Sequence, residues 1–390
     1  MTPANGKVLF ITPTAASVGG NIFLLNYLRW MKENSDIPFI IAYGTGGDLE
    51  VEFAKLAPTF NFGYNISVTT PVGRLAQKAA TELGIRSRRA ARAIRNEEVS
   101  LIYSNAVTND AILRALDRLD VPVVSHCHEL ETHLQKHGLD KFEYTKKRTT
   151  RFVAVSDAVR RNLIDKHDVV KDDIELIYEF IPVRELADVD LTASRSEVCR
   201  ELGFPEDAFI IAASGTMYWR KGPDIFIQIV ARVRALAPDA PIHFVWVGGV
   251  REGENAMIEA RHDIEKLGLE DRVRIVPHTW TPDKYFAASD LFAMVSREDP
   301  FPLVCLECAA LGNPIICFAD AGGMQEFVRD DAGRVVPYLD TDAFAAAIVE
   351  LYRNRDLRLS LGEKAEKRAS LEHDVSVGGP KVLDLIRRYL

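Results

Sequence analysis

Short apolar runs alternate along the chain with segments whose apolar residues recur at every third or fourth position. The first run, Lys7 to Thr12, predicts a buried strand. Asn21 to Glu33, with Ile22, Leu25, Leu28 and Met31, predicts an amphipathic helix. Runs at 38–43, 101–104, 121–126 and 151–155 predict four more strands, the last entering a helix that Ser156 caps and that ends near Lys166. The pattern then restarts with strands at 209–215, 242–247, 272–276, 291–295 and 314–318. Helices at 223–236, 284–288, 302–311, 341–354 and 357–370 accompany them, with a last helix near 379–390. Strands alternating with helices predict an α/β chain of parallel sheets covered on both faces. Two such successions predict two doubly wound domains. Pro182 and the charged stretch 184–201 interrupt the alternation, so the expected domains are 1–182 and 183–370, with 371–390 as a closing segment.

Composition narrows the class. A chain of 390 residues with 47% hydrophobic and 27% charged residues is neither disordered, collagenous nor a coiled coil. A net charge of −8 argues against nucleic acid as a partner. No stretch reaches the roughly 18 apolar residues of a membrane span, and the start reads as free of a signal peptide, so a cytoplasmic protein is expected. The five scattered cysteines fit reduced thiols, with Cys305 and Cys308 as small buried hydrophobes. Asp188 and Asp190 form a DxD in a polar stretch that follows no strand, so no metal site is expected. The first 180 residues are near neutral and the remainder carries the acidity. Arg86, Arg88, Arg89, Arg92 and Arg95 share one predicted helix, and Lys146, Lys147, Arg148 and Arg151 form a second basic group. Such a face is either a solvated surface or a dock for anionic lipid or a phosphorylated acceptor, which would place the protein peripherally at the inner face of the membrane.

Doubly wound sheets bind ligands beyond the carboxyl ends of their strands. Gly19 and Gly20 follow the first strand and open a helix, where bare amides suit an anion. The segment from Gly215 to Gly222 joins a strand to a helix and carries Arg220 and Lys221 at the helix entrance, a pair suited to a diphosphate. The segment Ser296-Arg-Glu-Asp-Pro-Phe-Pro-Leu-Val-Cys-Leu-Glu307 places Asp299 and Glu307 seven residues apart, a spacing that on one helix puts both on nearly the same face. Amides near Phe301 to Val304 would cap that helix. Glu307 lies among Val304, Leu306, Ala309 and Leu311, where an unpaired charge is costly, so it requires a partner, either a ligand or an arginine.

With these motifs in hand, the chain resembles the retaining, glycogen-synthase-like glycosyltransferases of family 4, the group 1 transferases. The resemblance covers most of the chain and is sharpest from Ala213 to Val328, including Ala321-Gly-Gly-Met-Gln-Glu326. It implies the GT-B fold, two Rossmann-like domains facing a central cleft, with the last helix crossing back to the first domain. The family's E-x7-E motif falls on Asp299 and Glu307, which implies contact with the transferred sugar for Asp299 and with the ribose hydroxyls for Glu307. The phosphate-binding lysine falls on Lys221. The family's usual arginine falls on Thr216, and Arg220 is the candidate to replace it. Pro302 stands for a glycine and removes one N–H, leaving the amides of Phe301, Leu303 and Val304. The base-binding segment falls on Pro277, His278 and Thr279, ending at Trp280. Ser125-His-Cys-His-Glu-Leu130 resembles the family's HE segment, with His128 at the matching position near donor sugar and acceptor. Asn105 and Glu129 fall on the acceptor side.

The resemblance thus implies a hexosyltransferase that needs no metal or other cofactor. Its donor would be a nucleotide sugar, with UDP-glucose the leading candidate, and its acceptor a glycan or lipid-linked sugar in polysaccharide biosynthesis. His128, Asp299, Lys221 and Arg220 would be catalytic. Gly19, Gly20 and Gly215 would join the donor site. The alternatives are a pseudo-transferase that only binds nucleotide sugars and a nucleotide-sugar 2-epimerase.

Overall fold

The computed structural model describes residues 6–64, 84–186, 188–249 and 255–390. The chain folds as two units, Met1–Glu179 together with Val375–Leu390, and Phe180–Asp374.

In the first unit seven parallel strands form one sheet: β1 (Lys7–Thr14), β2 (Phe39–Thr45), β3 (Thr59–Asn61), β4 (Val99–Ser104), β5 (Val123–Cys127), β6 (Arg151–Ala154) and β7 (Ile174–Leu176). Their order is β3-β2-β1-β4-β5-β6-β7. Phe10 of β1 lies between Ile41 of β2 and Tyr103 of β4. Val8, Leu9, Phe10 and Ile11 are all fully buried, because helices cover both faces of a parallel sheet. That is why the run is continuously apolar rather than alternating. Ser156 caps the helix Asp157–His167 by accepting the Val159 N–H at 3.2 Å.

The second unit has six parallel strands in the order β10-β9-β8-β11-β12-β13. They are β8 (Phe209–Ser214), β9 (Ile242–Val247), β10 (Val273–Val276), β11 (Leu291–Met294), β12 (Ile315–Phe318) and β13 (Gly333–Val336). In each unit the order reverses beside the first strand, between β1 and β4 and between β8 and β11. Loops leaving the sheet on either side of such a point diverge and open a crevice.

Several expectations need correction. The charged stretch around 191–202, which the sequence shows only as an interruption of the alternation, is a helix of the second unit. Asp190 caps it by accepting the Ala193 N–H, and it buries Val198 and Cys199. Its outward charges pair with Lys284 through Glu197 and Glu201. The basic group at 146–151 is largely spent inside the fold. Lys146 donates to the His167 carbonyl, Arg148 to the carbonyls of Leu119 and Val121, and Arg151 to that of Asp172. By contrast, Arg86, Arg88, Arg89, Arg92 and Arg95 are all exposed along and just beyond the helix Ile85–Ile94, with no ion pair among the described residues. The last helix begins at Val375, ahead of the predicted start, and runs through Gly378-Gly379-Pro380 to Arg387. A Cβ on Gly379 would stand 2.7 Å from the Trp30 ring, so close contact with the helix Gly19–Asn34 overrides poor helix propensity.

Candidate active site

In the second unit the candidate residues gather where the sheet order reverses. Gly215 follows β8 with φ +145°, and the stem of Lys221 lies against it, close enough that a Cβ would stand 3.1 Å from Lys221 Cδ. Trp219–Lys221 form one 3₁₀ turn, and Gly222 then turns the chain at φ +72° into the helix Pro223–Leu236, with proline at its favoured first position. Arg220 and Lys221 are thereby fixed at the rim of the sheet.

Both cations meet Asp299, which follows β11. Lys221 Nζ donates to Asp299 Oδ2 at 2.5 Å, and an Arg220 guanidinium nitrogen stands 3.6 Å from Oδ1. Arg220 also donates to the Glu298 carbonyl at 2.7 Å and, through Nε, to the Tyr218 hydroxyl at 2.7 Å. Burial alone would raise the Asp299 carboxyl, but Lys221 and then Arg220 outweigh it and hold it below the ordinary carboxylate value. Two cations against one carboxylate leave this cluster one net positive charge, the sign that an anionic ligand needs.

Asp299 is not on the helix that carries Glu307. The helix runs Leu303–Ala310, because Pro300 and Pro302 keep the preceding residues extended. Asp299 is instead pinned by backbone bonds to the Ala321-Gly322-Gly323 turn. Its N–H donates to the Ala321 carbonyl at 2.7 Å, and the Gly323 N–H donates to its carbonyl at 3.2 Å. A Cβ on Gly322, at φ +128°, would overlap the Asp299 carbonyl oxygen. Gly322→Ala is therefore expected to cost more than about 2 kcal/mol in chemical denaturation and to displace the carboxylate. A wild-type midpoint in that variant would contradict this packing.

Pro302 stands at the N-cap of the helix with no side-chain cap, so the amides of Leu303 and Val304 have no hydrogen-bond partner among the described residues. Phe301 is buried and stacks on His373 at 5.2 Å, so its ring belongs to the core. Glu307 is half-buried, with no arginine and no other hydrogen-bond or ion-pair partner among the described residues. Burial, and then the charge of Asp283, push its carboxyl up to about 7. Of the two partners that the sequence left open, no arginine is in place. Pro277 and His278 are exposed and Thr279 half-buried after β10, and the His278 backbone nitrogen lies against Gly249. Asp190, half of the DxD, serves as the helix cap already described.

In the first unit the candidates surround the reversal between β1 and β4. The helix Gly19–Asn34 has no side-chain cap, and the amides of Gly19 and Gly20 have no partner among the described residues. Asn105, following β4, donates through Nδ2 to the Gly20 carbonyl at 2.7 Å. His128, following β5, reaches Asn105 Oδ1 through Nε2 at 3.2 Å. His126 is fully buried and its Nδ1 meets the Tyr103 hydroxyl at 2.8 Å. Of the two histidines, His128 is therefore the one at the helix entrance. Glu129 is buried and its carboxylate accepts the His128 N–H at 2.8 Å and the Val107 N–H at 3.4 Å, so it shapes its own loop. One residue the sequence reading missed is Glu179, whose Oε1 lies 2.8 Å from His128 Nδ1. A signal was present: Glu179 sits within Ile177-Tyr-Glu-Phe-Ile181, an apolar setting like that of Glu307.

Residues 19–185 match the model of Glycosyltransferase Family 4, and residues 194–368 match that of the glycosyl transferases group 1. A D-inositol 3-phosphate glycosyltransferase of Salinispora tropica is 27% identical over 388 residues, covering 92% of this chain and 78% of its own. A protein of the same name from Corynebacterium glutamicum is 33% identical over 175 residues, 44% of this chain and 41% of its own. Several such relatives are thus matched over about half of their length or less. Among solved structures, Anabaena HepE in complex with UDP-glucose superposes with a TM-score of 0.82, covering 98% of this chain and 99% of HepE at 20% identity. Sucrose-phosphate synthase from Thermosynechococcus elongatus gives 0.77 over 98% of each chain at 18% identity.

Proposed function

The chain belongs to the family 4 glycosyltransferases of GT-B fold, and from that premise we propose that it moves a hexose from a nucleoside diphosphate sugar to a hydroxyl of a glycan or lipid-linked acceptor, with retention of anomeric configuration. UDP-glucose is the donor we favour, and the assembly of an extracellular polysaccharide the setting. The observation that carries this reading is the Arg220–Lys221–Asp299 cluster at the reversal between β8 and β11. The second unit holds the donor. Arg220 and Lys221 take the diphosphate, Glu307 the ribose hydroxyls, the amides of Leu303 and Val304 phosphate or sugar oxygens, and Pro277–Thr279 the base. Asp299 holds the two cations in place and turns its free lone pairs to the sugar. The first unit, through His128 and Asn105, serves the acceptor.

In the reaction the bond from the anomeric carbon to the β-phosphate oxygen breaks. The acceptor oxygen bonds to the same face, and its proton passes to the departing phosphate oxygen. Negative charge builds on the diphosphate, and Arg220 and Lys221 stabilise it, the role a metal ion plays elsewhere. The four exposed arginines of the helix Ile85–Ile94, with Arg95 just beyond it, support peripheral docking on an anionic membrane. No helix among the described residues is long and apolar enough to cross one.

The test is thermal unfolding with UDP-, GDP- and ADP-sugars, followed by nucleotide release with and without acceptor. A donor at 100 times its dissociation constant should add about 2.7 kcal/mol. Stabilisation by one nucleotide series, with release that needs an acceptor, fits transfer. Release without acceptor points to the epimerase type, and stabilisation with no release to a binding protein.

A further inference from the structure

Glu179 carries none of the family motifs, yet its position decides the state of His128. The titratable groups that face this ring are His126 from β5, Glu129 from the turn after it, and Glu179 from the segment beyond β7. The helix Gly19–Asn34 contributes Gly20 and the Phe23 ring, and the end of β4 contributes Asn105.

The hydrogen bonds can be followed from a fixed point. The Gly20 carbonyl can only accept, so Asn105 must turn Nδ2 toward it, and Oδ1 then faces His128 Nε2 at 3.2 Å. On the other side of the ring, Glu179 Oε1 faces Nδ1 at 2.8 Å. Both ring nitrogens therefore face acceptors. A neutral imidazole carries one N–H and would leave one of these contacts repulsive; an imidazolium satisfies both. We infer that Glu179 is the positioning residue that holds His128 as an imidazolium, taking Nδ1–H and leaving Nε2–H as a cationic donor that a ligand oxygen can take over from Asn105. His126 is complementary. It has no carboxylate partner among the described residues, and burial, and then the charge of His128, push it well below its ordinary value. The ring charge thus resides on His128, beside the uncapped amides of Gly19 and Gly20, which suits an anionic or hydroxyl-bearing ligand.

The proton assignment stands on geometry alone; its catalytic consequence rests on the transferase reading. The experiment is nitrogen NMR of the full chain labelled at histidine, with His128→Gln to assign the ring and Glu179→Gln for comparison. Glutamine can still accept from Nδ1 but brings no charge. In wild type at neutral pH both His128 nitrogens should show protonated shifts. At the same pH one of the two nitrogens should show the unprotonated shift in Glu179→Gln. A neutral ring in wild type, or the same pair of shifts in both proteins, overturns the inference. Should the variant not fold, the wild-type spectrum still decides it. In turnover, Glu179→Gln should lose on the order of 10- to 100-fold at neutral pH and recover part of it as the pH is lowered. A purely structural role would give a loss that pH does not mend. Failure of wild type to transfer from any donor would sink the transferase reading and leave the NMR result standing.

Discussion

Replacing Lys221 with methionine is expected to lower transfer by about 10²- to 10³-fold, mainly in kcat, since its ammonium would act on charge that develops as the diphosphate leaves. The same change should destabilise the ligand-free protein by about 1–3 kcal/mol, because Asp299 loses its nearer cation but keeps Arg220, 3.6 Å away, and the Ser296 hydroxyl at 3.4 Å. Adding Asp299→Asn leaves Arg220 buried without its carboxylate, so the double variant should recover neither stability nor turnover. The pH dependence follows from the sign of the shift. The folded carboxyl of Asp299 lies below its unfolded value of about 3.9. Its contribution is fully present above that value and is lost as the pH falls through the folded one, and Asp299→Asn should lack this acid-side loss. A Lys221→Met enzyme with wild-type kcat would remove the cation from the mechanism.

Glu307→Ala should weaken the donor roughly 10- to 150-fold, the range for hydrogen bonds to a charged group, with little change in kcat under saturation. A second signature comes from the carboxyl held up at about 7. The carboxylate accepts from ribose hydroxyls better than the acid does, so donor affinity should rise across about pH 6 to 8 and be flat in Glu307→Gln. Ligand-free stability should run the other way. The unfolded chain releases this proton near pH 4.3, so the folded state loses ground between about 4.3 and 7. Opposite slopes for binding and stability, both removed by one substitution, are hard to obtain from any other group. Titration of donor binding by calorimetry at several pH values checks the first, and urea unfolding checks the second.

What could be read in advance depended on how local the cause was. The buried strands are continuous apolar runs, and their helices repeat at helical spacing, so the doubly wound plan needed no contact information. Lys221, Asp299 and Glu307 were legible because their chemistry is concentrated in short segments after strands. Glu179 was marked only by its apolar setting, since its partner His128 lies 51 residues away. The helix Leu191–Leu202 showed only as a break in the alternation because its charges dilute Val198 and Cys199, whose burial depends on the helix Asp283–Ala287. The short edge strands β3, β7 and β13 offer three or four residues each, too few for a period to show. The early start of the last helix, through two glycines and a proline, becomes intelligible only beside Trp30.

That last helix has a consequence for how the protein is made. The first unit is closed by Val375–Arg387 packing on Gly19–Asn34, and everything from Phe180 to Asp374 is translated in between. On a ribosome moving at about 5–20 residues per second, the seven-stranded sheet would wait on the order of 10 to 40 s for its final element. Through that interval Trp30 and its neighbours lack their cover, while the second unit, whose strands are contiguous in sequence, can complete its core first. The order of maturation is then the reverse of the order of synthesis, and the apolar surface left open longest belongs to the half of the protein that was made earliest.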